Sequence, residues 1–293
     1  MCIGERRGSV IYKIIIGLLL LGIFFIWQNN HILINNINYK NKKIPKSFNN
    51  FKILQISDLH NKNFHGILSK KIKRANPDII VITGDIIDRH RTKVDIAIKL
   101  IEEIKDIGPI YYISGNHEST SPYLEELKDR LNSNGVKILD NSSEKIKRDD
   151  ESIVILGVAD ITMNKWSKEW IEYKRDSYYR GEIENIKKNY EREFSIALSH
   201  RPELIKVYAE KNIDLVFTGH AHGGQVRLPL IGGLYSPGQG ILPRYTSGVH
   251  KIRNTSLVVS RGLGNSGFPF RIFNRPEIVV VKLVSEESYK KMS

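Results

Sequence analysis

Five short clusters along the chain carry side chains able to hold metal ions or phosphate. They are Ser57-Asp58-Leu59-His60, Thr83-Gly84-Asp85-Ile86-Ile87-Asp88, Ser114-Gly115-Asn116-His117-Glu118, Leu198-Ser199-His200-Arg201-Pro202 and Thr218-Gly219-His220-Ala221-His222-Gly223-Gly224. Taken singly, each is weak, because an Asp-x-His pair or a lone histidine is more often a satisfied core residue. Taken together they gather five of the nine histidines, His60, His117, His200, His220 and His222; His31, His65, His90 and His250 stand apart. Seven groups are candidate ligands: Asp58, His60, Asp85, Asn116, His200, His220 and His222. Oxygen and imidazole without thiolate suit Mn, Fe or Zn, and the single cysteine, Cys2, excludes both a disulfide framework and a thiolate cluster. Seven ligands are too many for one ion with an open position. They suit two divalent ions bridged by a carboxylate about 4 Å apart, an arrangement that activates water against a phosphate ester.

The elements that must position these groups are legible from periodicity. Short Ile/Val-rich runs at 51–56, 79–83, 110–114, 153–158, 194–198 and 215–218 read as buried strands, and each of the five clusters stands at the end of one. Between them, 94–104, 123–131 and 203–210 carry apolar residues three and four apart and read as helices. Alternating strands and helices give an α/β sheet, whose carboxyl strand ends open onto a common crevice. After His222 the chain turns Gly/Pro-rich, with β-rich runs at 257–260 and 278–284 that close a sheet without helices. The aromatic, charged stretch 166–192 reads as a surface helix with its aromatics toward the core; the alternative is a lid that meets lipid or substrate. Gly262-Leu263-Gly264-Asn265-Ser266-Gly267 matches a dinucleotide-binding pattern, but Phe268-Pro269-Phe270 cannot open the helix it requires. Arg261 beside it is a candidate phosphate contact. No serine-hydrolase nucleophile motif and no phosphate-loop lysine is present.

Residues 10–27 form an apolar segment whose one charge is Lys13 and whose far end is Trp27. Its length suits a single transmembrane helix with Lys13 reaching the interface, and no small-x-small cleavage site follows it. Arg6, Arg7 and Lys13 lie at its start, which places the N-terminus in the cytoplasm and the large domain outside. Residues 28–50, rich in Asn and Lys, read as a basic linker, so that 1–50 is an anchor and 51–293 the catalytic domain. Of the +13 net charge, +6 falls in residues 1–50, where it meets anionic headgroups; this reads as membrane attachment and argues against nucleic acid as a partner.

The ordered set D-x-H, G-D-x-x-D, G-N-H-[DE], H and G-H-x-H, from Asp58 to His222, resembles the calcineurin-like metallophosphoesterase signature. The resemblance extends through GGQVRLPLIGGLYSPGQG and SRGLGNSGFPFRIFNRPEI, covering residues 51–284. It looks like the bacterial membrane- or wall-associated branch, which includes enzymes acting on UDP-2,3-diacylglucosamine. It implies a four-layer αββα sandwich and a dinuclear centre in which Asp58, His60 and His222 hold one metal and Asn116, His200 and His220 the other. Asp85 would bridge them, and His117 would serve the leaving oxygen while metal-activated hydroxide attacks phosphorus. Asp88 is assigned a structural role, and Glu118 stands where many members carry Asp. The expected function is hydrolysis of a phosphodiester or pyrophosphate bond, in a substrate that a membrane site would let be lipid-linked. A nuclease, or an anchored protein that binds metal or phospholipid without turnover, are the alternatives.

Overall fold

The computed structural model describes residues 2–161, 168–188, 190 and 192–286. In chain order the elements are helix α1 (Cys2–Asn30), strand β1 (Leu33–Asn41), β2 (Lys52–Ile56), α2 (Ile67–Ala75), β3 (Ile79–Ile82), α3 (Val94–Ile104), β4 (Ile110–Tyr112), α4 (Asn116–Ser119) and α5 (Leu124–Ser133). There follow β5 (Lys137–Ile138), β6 (Ser142–Arg148), β7 (Glu151–Gly157), α6 (Lys168–Lys187), β8 (Ser195–Leu198), α7 (Ile205–Glu210), β9 (Leu215–Thr218), β10 (Gly248–Ile252), β11 (Thr255–Val259) and β12 (Glu277–Ser285). Two short two-stranded ladders occupy 227–241.

The strands form two six-stranded sheets, β1-β12-β2-β3-β4-β5 and β10-β11-β9-β8-β7-β6. In the first, β2 through β5 run parallel; in the second, β11, β9, β8 and β7 do. Successive side chains on a strand point to opposite faces, and here both faces are covered, which is why the strands read as unbroken apolar runs. Ile53, Ile79 and Val81 meet Ile155, Ile196, Phe217 and Val258 in the layer between the sheets. Their neighbours Leu54, Ile56, Ile80 and Ile82 face the opposite way, onto Leu68, Ile72, Ala97, Ile101 and Leu127 of α2, α3 and α5. On the far side Leu156, Ala197, Val216 and Leu257 pack against α6 and α7. The result is the expected four-layer αββα sandwich.

Residues 28–50 differ from the expected linker. Ile32, Ile44 and Phe48 are buried, and β1 pairs with β12 in parallel along its whole length, from Leu33–Glu277 to Asn41–Ser285. This is an edge strand in which Asn35, Asn36, Asn38, Lys40 and Asn41 fall on both faces among Leu33, Ile34, Ile37 and Tyr39, so the apolar run that marks the inner strands is diluted. Tyr39 ties it to the second sheet by donating to the Asp214 carbonyl at 3.0 Å.

Helix α1 contains a segment, Val10–Asn30, long and apolar enough to cross a membrane, with none of that window buried in the protein. In α6, Tyr179 and Ile183 are buried in the outer core and Tyr178 packs beside them, as the core-facing reading expects, whereas Tyr173 is exposed. Trp166 and the Trp170 side chain lie outside the described residues.

Candidate metal centre

The carboxyl ends of β2, β3, β4, β8 and β9 converge, and each delivers one of the clusters. After β2 the chain turns sharply, with Asp58 at φ 51° and His60 at φ 46°. Asp85, His220 and His222 are also left-handed, at φ 54°, 64° and 47°. Non-glycine residues in this region cost of order 1–3 kcal/mol each and persist where the surroundings over-determine them. The surroundings here are backbone hydrogen bonds. Asp58 and His60 donate their N–H groups to the carbonyls of Gly84 and Asp85, each at 3.0 Å, and the Leu263 and Gly264 N–H groups donate to the Asp58 carbonyl. The glycine-rich stretch that mimics a dinucleotide motif therefore serves this turn. A Cβ at Gly264 would stand 2.2 Å from the Leu59 carbonyl oxygen.

The seven candidate ligands come together. His60 Nε2 and His222 Nε2 are 3.1 Å apart, and Asp58 Oδ1 lies 3.4 Å from His222 Nε2. His200 Nε2 is 3.1 Å from Asn116 Oδ1 and 3.2 Å from His220 Nδ1. Between the two groups stands Asp85. Its Oδ1 accepts the His117 N–H at 2.8 Å, while Oδ2 lies 3.2 Å from His200 Nε2 and 3.7 Å from His60 Nε2. His200 Nδ1 sits 2.7 Å from the Thr83 carbonyl, which holds its proton there and turns the Nε2 lone pair inward.

Electrostatics match this geometry. Burial holds His220 and His222 well below the usual imidazole range, with Arg201 beside the first and His60 beside the second, so both are neutral and can ligate. Burial opposes ionisation of Asp85, but His200, His117 and His60 outweigh it and hold the carboxyl well below its ordinary value. Burial likewise opposes protonation of His200, yet the Asp85 charge prevails and lifts it to about 10. Two sets of buried imidazole, carboxylate and amide donors converging around one carboxylate oxygen fit two cations. A proton on His200 must leave before it can ligate. Titrating the metal-free protein with Mn or Zn at pH 7 is expected to release about one proton per site occupied by His200, with affinity rising with pH up to about 10. Calorimetry in two buffers of different ionisation enthalpy measures this; a heat independent of buffer contradicts it.

Several groups that composition did not single out complete the site. Glu118 is fully buried and accepts the N–H groups of Asp85, Ile87 and Gly115 at 2.7, 3.0 and 2.8 Å, clamping the β3 turn to the β4 turn. Its longer side chain makes three bonds from the position where Asp is common. Asp88 Oδ2 lies 3.6 Å from both His60 Nδ1 and His117 Nδ1, so it orients two site histidines, a more direct part than the structural one expected. The signal was present as the second acid of G-D-x-x-D. Arg201 reaches His220 Nε2 at 3.3 Å while paired to Asp160 at 2.8 Å. His117 faces a cleft of about 470 Å³, lined also by Arg89, Gln225, Tyr235 and Phe268. Arg261 is not brought to this cleft: its guanidinium lies 3.6 Å from Glu277, and Arg89 supplies the rim cation instead.

Gly219 is the tightest contact under the site. A Cβ there would fall 1.9 Å from Ser57 Oγ and 2.2 Å from Asp58 Oδ2. Gly219→Ala is expected to displace the Asp58 carboxylate, costing about 1–3 kcal/mol of stability and one equivalent of metal. Thermal unfolding with metal analysis checks this, and unchanged stoichiometry and midpoint would refute it.

An α/β/β/α sandwich bearing this cluster defines a metal-dependent phosphoester hydrolase. Residues 51–224 match the model of the calcineurin-like phosphoesterases, and the chain belongs to that family. It is 30% identical over 254 residues to the metallophosphoesterase YkuE of Bacillus subtilis, covering 84% of this chain and 83% of that one. It is 26% identical to a transmembrane protein with a metallophosphoesterase domain of Danio rerio, over 83% of this chain and 55% of that protein. Among solved structures, TT1561 of Thermus thermophilus covers 73% of this chain and 90% of its own, with TM-score 0.46 and 13% identity.

Proposed function

We propose that the chain is a membrane-anchored phosphoesterase that uses two divalent cations (Mn, Fe or Zn) to hydrolyse a phosphodiester or pyrophosphate bond in a lipid-linked substrate such as UDP-2,3-diacylglucosamine. The observation that carries this reading is the single Asp85 oxygen standing between two buried ligand sets. Asp58, His60 and His222 would hold one ion, Asn116, His200 and His220 the other, and Asp85 both. When bound, the ions supply Lewis acidity, engaging phosphoryl oxygens and lowering the pKa of water. The chain's own groups do the rest. Arg89 on the cleft rim attracts the phosphate and holds it in register. The Arg89 backbone N–H donates to His117 Nδ1 at 3.2 Å, which leaves the imidazole proton on Nε2, free to bond the departing oxygen. Burial lowers His117 to about 4, so it works as a neutral donor across physiological pH.

Helix α1 supports the anchoring, since its apolar surface is unburied and basic residues precede it, an asymmetry that favours a catalytic domain outside the cytoplasm. The purified full chain in detergent, loaded with Mn, is expected to cleave an aryl phosphodiester and to lose that activity on chelation. Protein holding two equivalents of metal that cleaves neither phosphodiester nor pyrophosphate would refute the reading.

A further inference from the structure

Large apolar side chains are exposed in an uneven way. Outside α1, thirteen are exposed among the described residues, and nine of them lie in two loops, 226–242 and 265–273. Leu230 is fully exposed at the tip of the first ladder and Ile241 is 81% exposed on the second. Phe270 and Phe273 stand open on the other loop. Such clustering is unusual for a water-facing surface and marks a contact site.

The two loops are one structural unit. The Arg227 N–H donates to the Ile272 carbonyl at 3.0 Å, Val226 bridges Ile272, and Gln225 bonds the Ser266 carbonyl. The unit is also attached to α1. Phe273 packs edge-on against Phe24 at 5.6 Å and Phe270 lies 5.4 Å from Phe25. Asn29 Oδ1 accepts the Arg271 N–H at 2.8 Å, and Lys62 donates to the Asn29 carbonyl. Arg275 stacks over Trp27 at 4.5 Å. These contacts fix a depth. Trp27, Arg275 and Lys62 form the aromatic and cationic level that sits among headgroups. With a rise of 1.5 Å per residue, Phe24 lies about 4.5 Å deeper, so the rings touching Phe24 and Phe25 reach the acyl boundary.

Charge points the same way. Between Asp214 and Glu277 the sequence contains no acidic residue and seven basic ones: Arg227, Arg244, Lys251, Arg253, Arg261, Arg271 and Arg275. That excess equals the whole +7 carried by residues 51–293. Of these, Arg271 is buried, Arg261 pairs with Glu277, and Lys251 and Arg253 lie at β10; Arg227, Arg244 and Arg275, with Lys62, stand by the exposed apolar side chains, a combination that suits an anionic bilayer.

We infer that the loops 226–242 and 265–275 form a second membrane contact, seated at the headgroup–acyl boundary of an anionic bilayer beside α1, so that the catalytic cleft opens at the lipid surface. Ser266, Gly267 and Phe268 of one loop and Tyr235 and Pro237 of the other line the cleft itself, so a phosphate reaching His117 and Asp85 enters directly over the bilayer. The inference rests on the reading of α1 as a membrane span.

The test uses the full chain with Cys2→Ser and one new cysteine at a time, Leu230→Cys, Ile241→Cys, Phe273→Cys, Leu19→Cys in α1, or Tyr123→Cys on an exposed site away from the loops. Each is labelled with an environment-sensitive fluorophore and reconstituted into phosphatidylcholine–phosphatidylglycerol vesicles carrying a lipid-borne quencher. The expected result is at least twofold quenching at 19, 230, 241 and 273 and none at 123. Quenching at 19 with positions 230, 241 and 273 behaving like 123 overturns the inference. Absence of quenching at 19 rejects the span, whatever the loops do. Energy transfer between labels on separate copies, without lipid quenching, overturns it in favour of a second copy of this chain. As a second readout, Leu230→Asp with Ile241→Asp is expected to slow cleavage of a phosphoester lipid in vesicles at least tenfold while leaving a soluble aryl phosphodiester unaffected. Equal loss on both substrates also overturns it.

Discussion

Asp85→Asn is expected to remove both metal ions and lower kcat/KM by about 10³-fold, equivalent to about 4 kcal/mol of barrier. The substitution is nearly isosteric, and the amide oxygen can still accept the His117 N–H that the carboxylate accepts at 2.8 Å. What changes is the other atom. Oδ2 faces His200 Nε2 at 3.2 Å and His60 Nε2 at 3.7 Å, and an amide would place two N–H donors there in place of a negative acceptor. Each ligand set loses the anion it shares, and a donor pointed at a cation's position opposes its return. The loss should therefore be visible as missing metal before it is visible as missing rate. Atomic spectroscopy on dialysed protein gives the first quantity and turnover of an aryl phosphodiester the second. Retention of two equivalents at the wild-type rate would falsify the assignment of Asp85.

His117→Ala should separate the two quantities. The His117 side chain contacts Asp88 and faces the cleft, but it stands outside both ligand sets, and its backbone N–H to Asp85 survives truncation. Metal content is expected to stay at two while kcat falls about 10²–10⁴-fold, the usual worth of a positioned proton-bearing group. The loss should depend on the leaving group. An alkoxide concentrates its charge and depends on the hydrogen bond from Nε2–H, so an alkyl phosphodiester should show the full effect, whereas nitrophenolate, stable as an anion, should show little of it. Because His117 is held near 4, no limb of the pH–rate profile between about 5 and 8 should belong to it. An equal loss on both substrates would move His117 from the leaving oxygen to a role in holding the ground state.

The ligand set was readable because Asp, Asn and His are scarce at the ends of buried strands, where the fold otherwise spends apolar residues. Once Ile53–Ile56 and Ile79–Ile82 are seen as parallel strands, Asp58 and Asp85 must lie at one edge, and the same holds for His200 and His220 after the parallel strands Ser195–Leu198 and Leu215–Thr218. What sequence could not show depends on partners far along the chain. Arg261 reads as a phosphate contact, yet Glu277 lies 3.6 Å from it, and residues 28–50 read as a linker, yet the Asn-rich β1 pairs with β12. Arg271 is fully buried, which composition gives no reason to expect; its guanidinium donates to the Gly264 carbonyl and to Asn265. Asp88 and Glu118 sat within recognised motifs, but which atoms they hold follows from where the β3 and β4 turns meet.

The direct passage from α1 into β1 bears on how such an enzyme would look for its substrate. Only His31 and Ile32 separate the helix from a nine-residue parallel pairing with β12. A domain hung on a flexible stem sweeps a volume above its membrane and can reach neighbouring surfaces. This one has no slack, and the contacts of Asn29, Trp27 and Phe24 with the 265–275 loop remove the remaining freedom to tilt. With α1 embedded, the site would stay at a fixed height and explore only laterally, as a two-dimensional diffuser. Were the substrate lipid-borne, encounters would then scale with its surface density in that leaflet, not with its bulk concentration. A flexible insertion between Asn30 and Leu33 would relax that restriction while leaving every ligand in place.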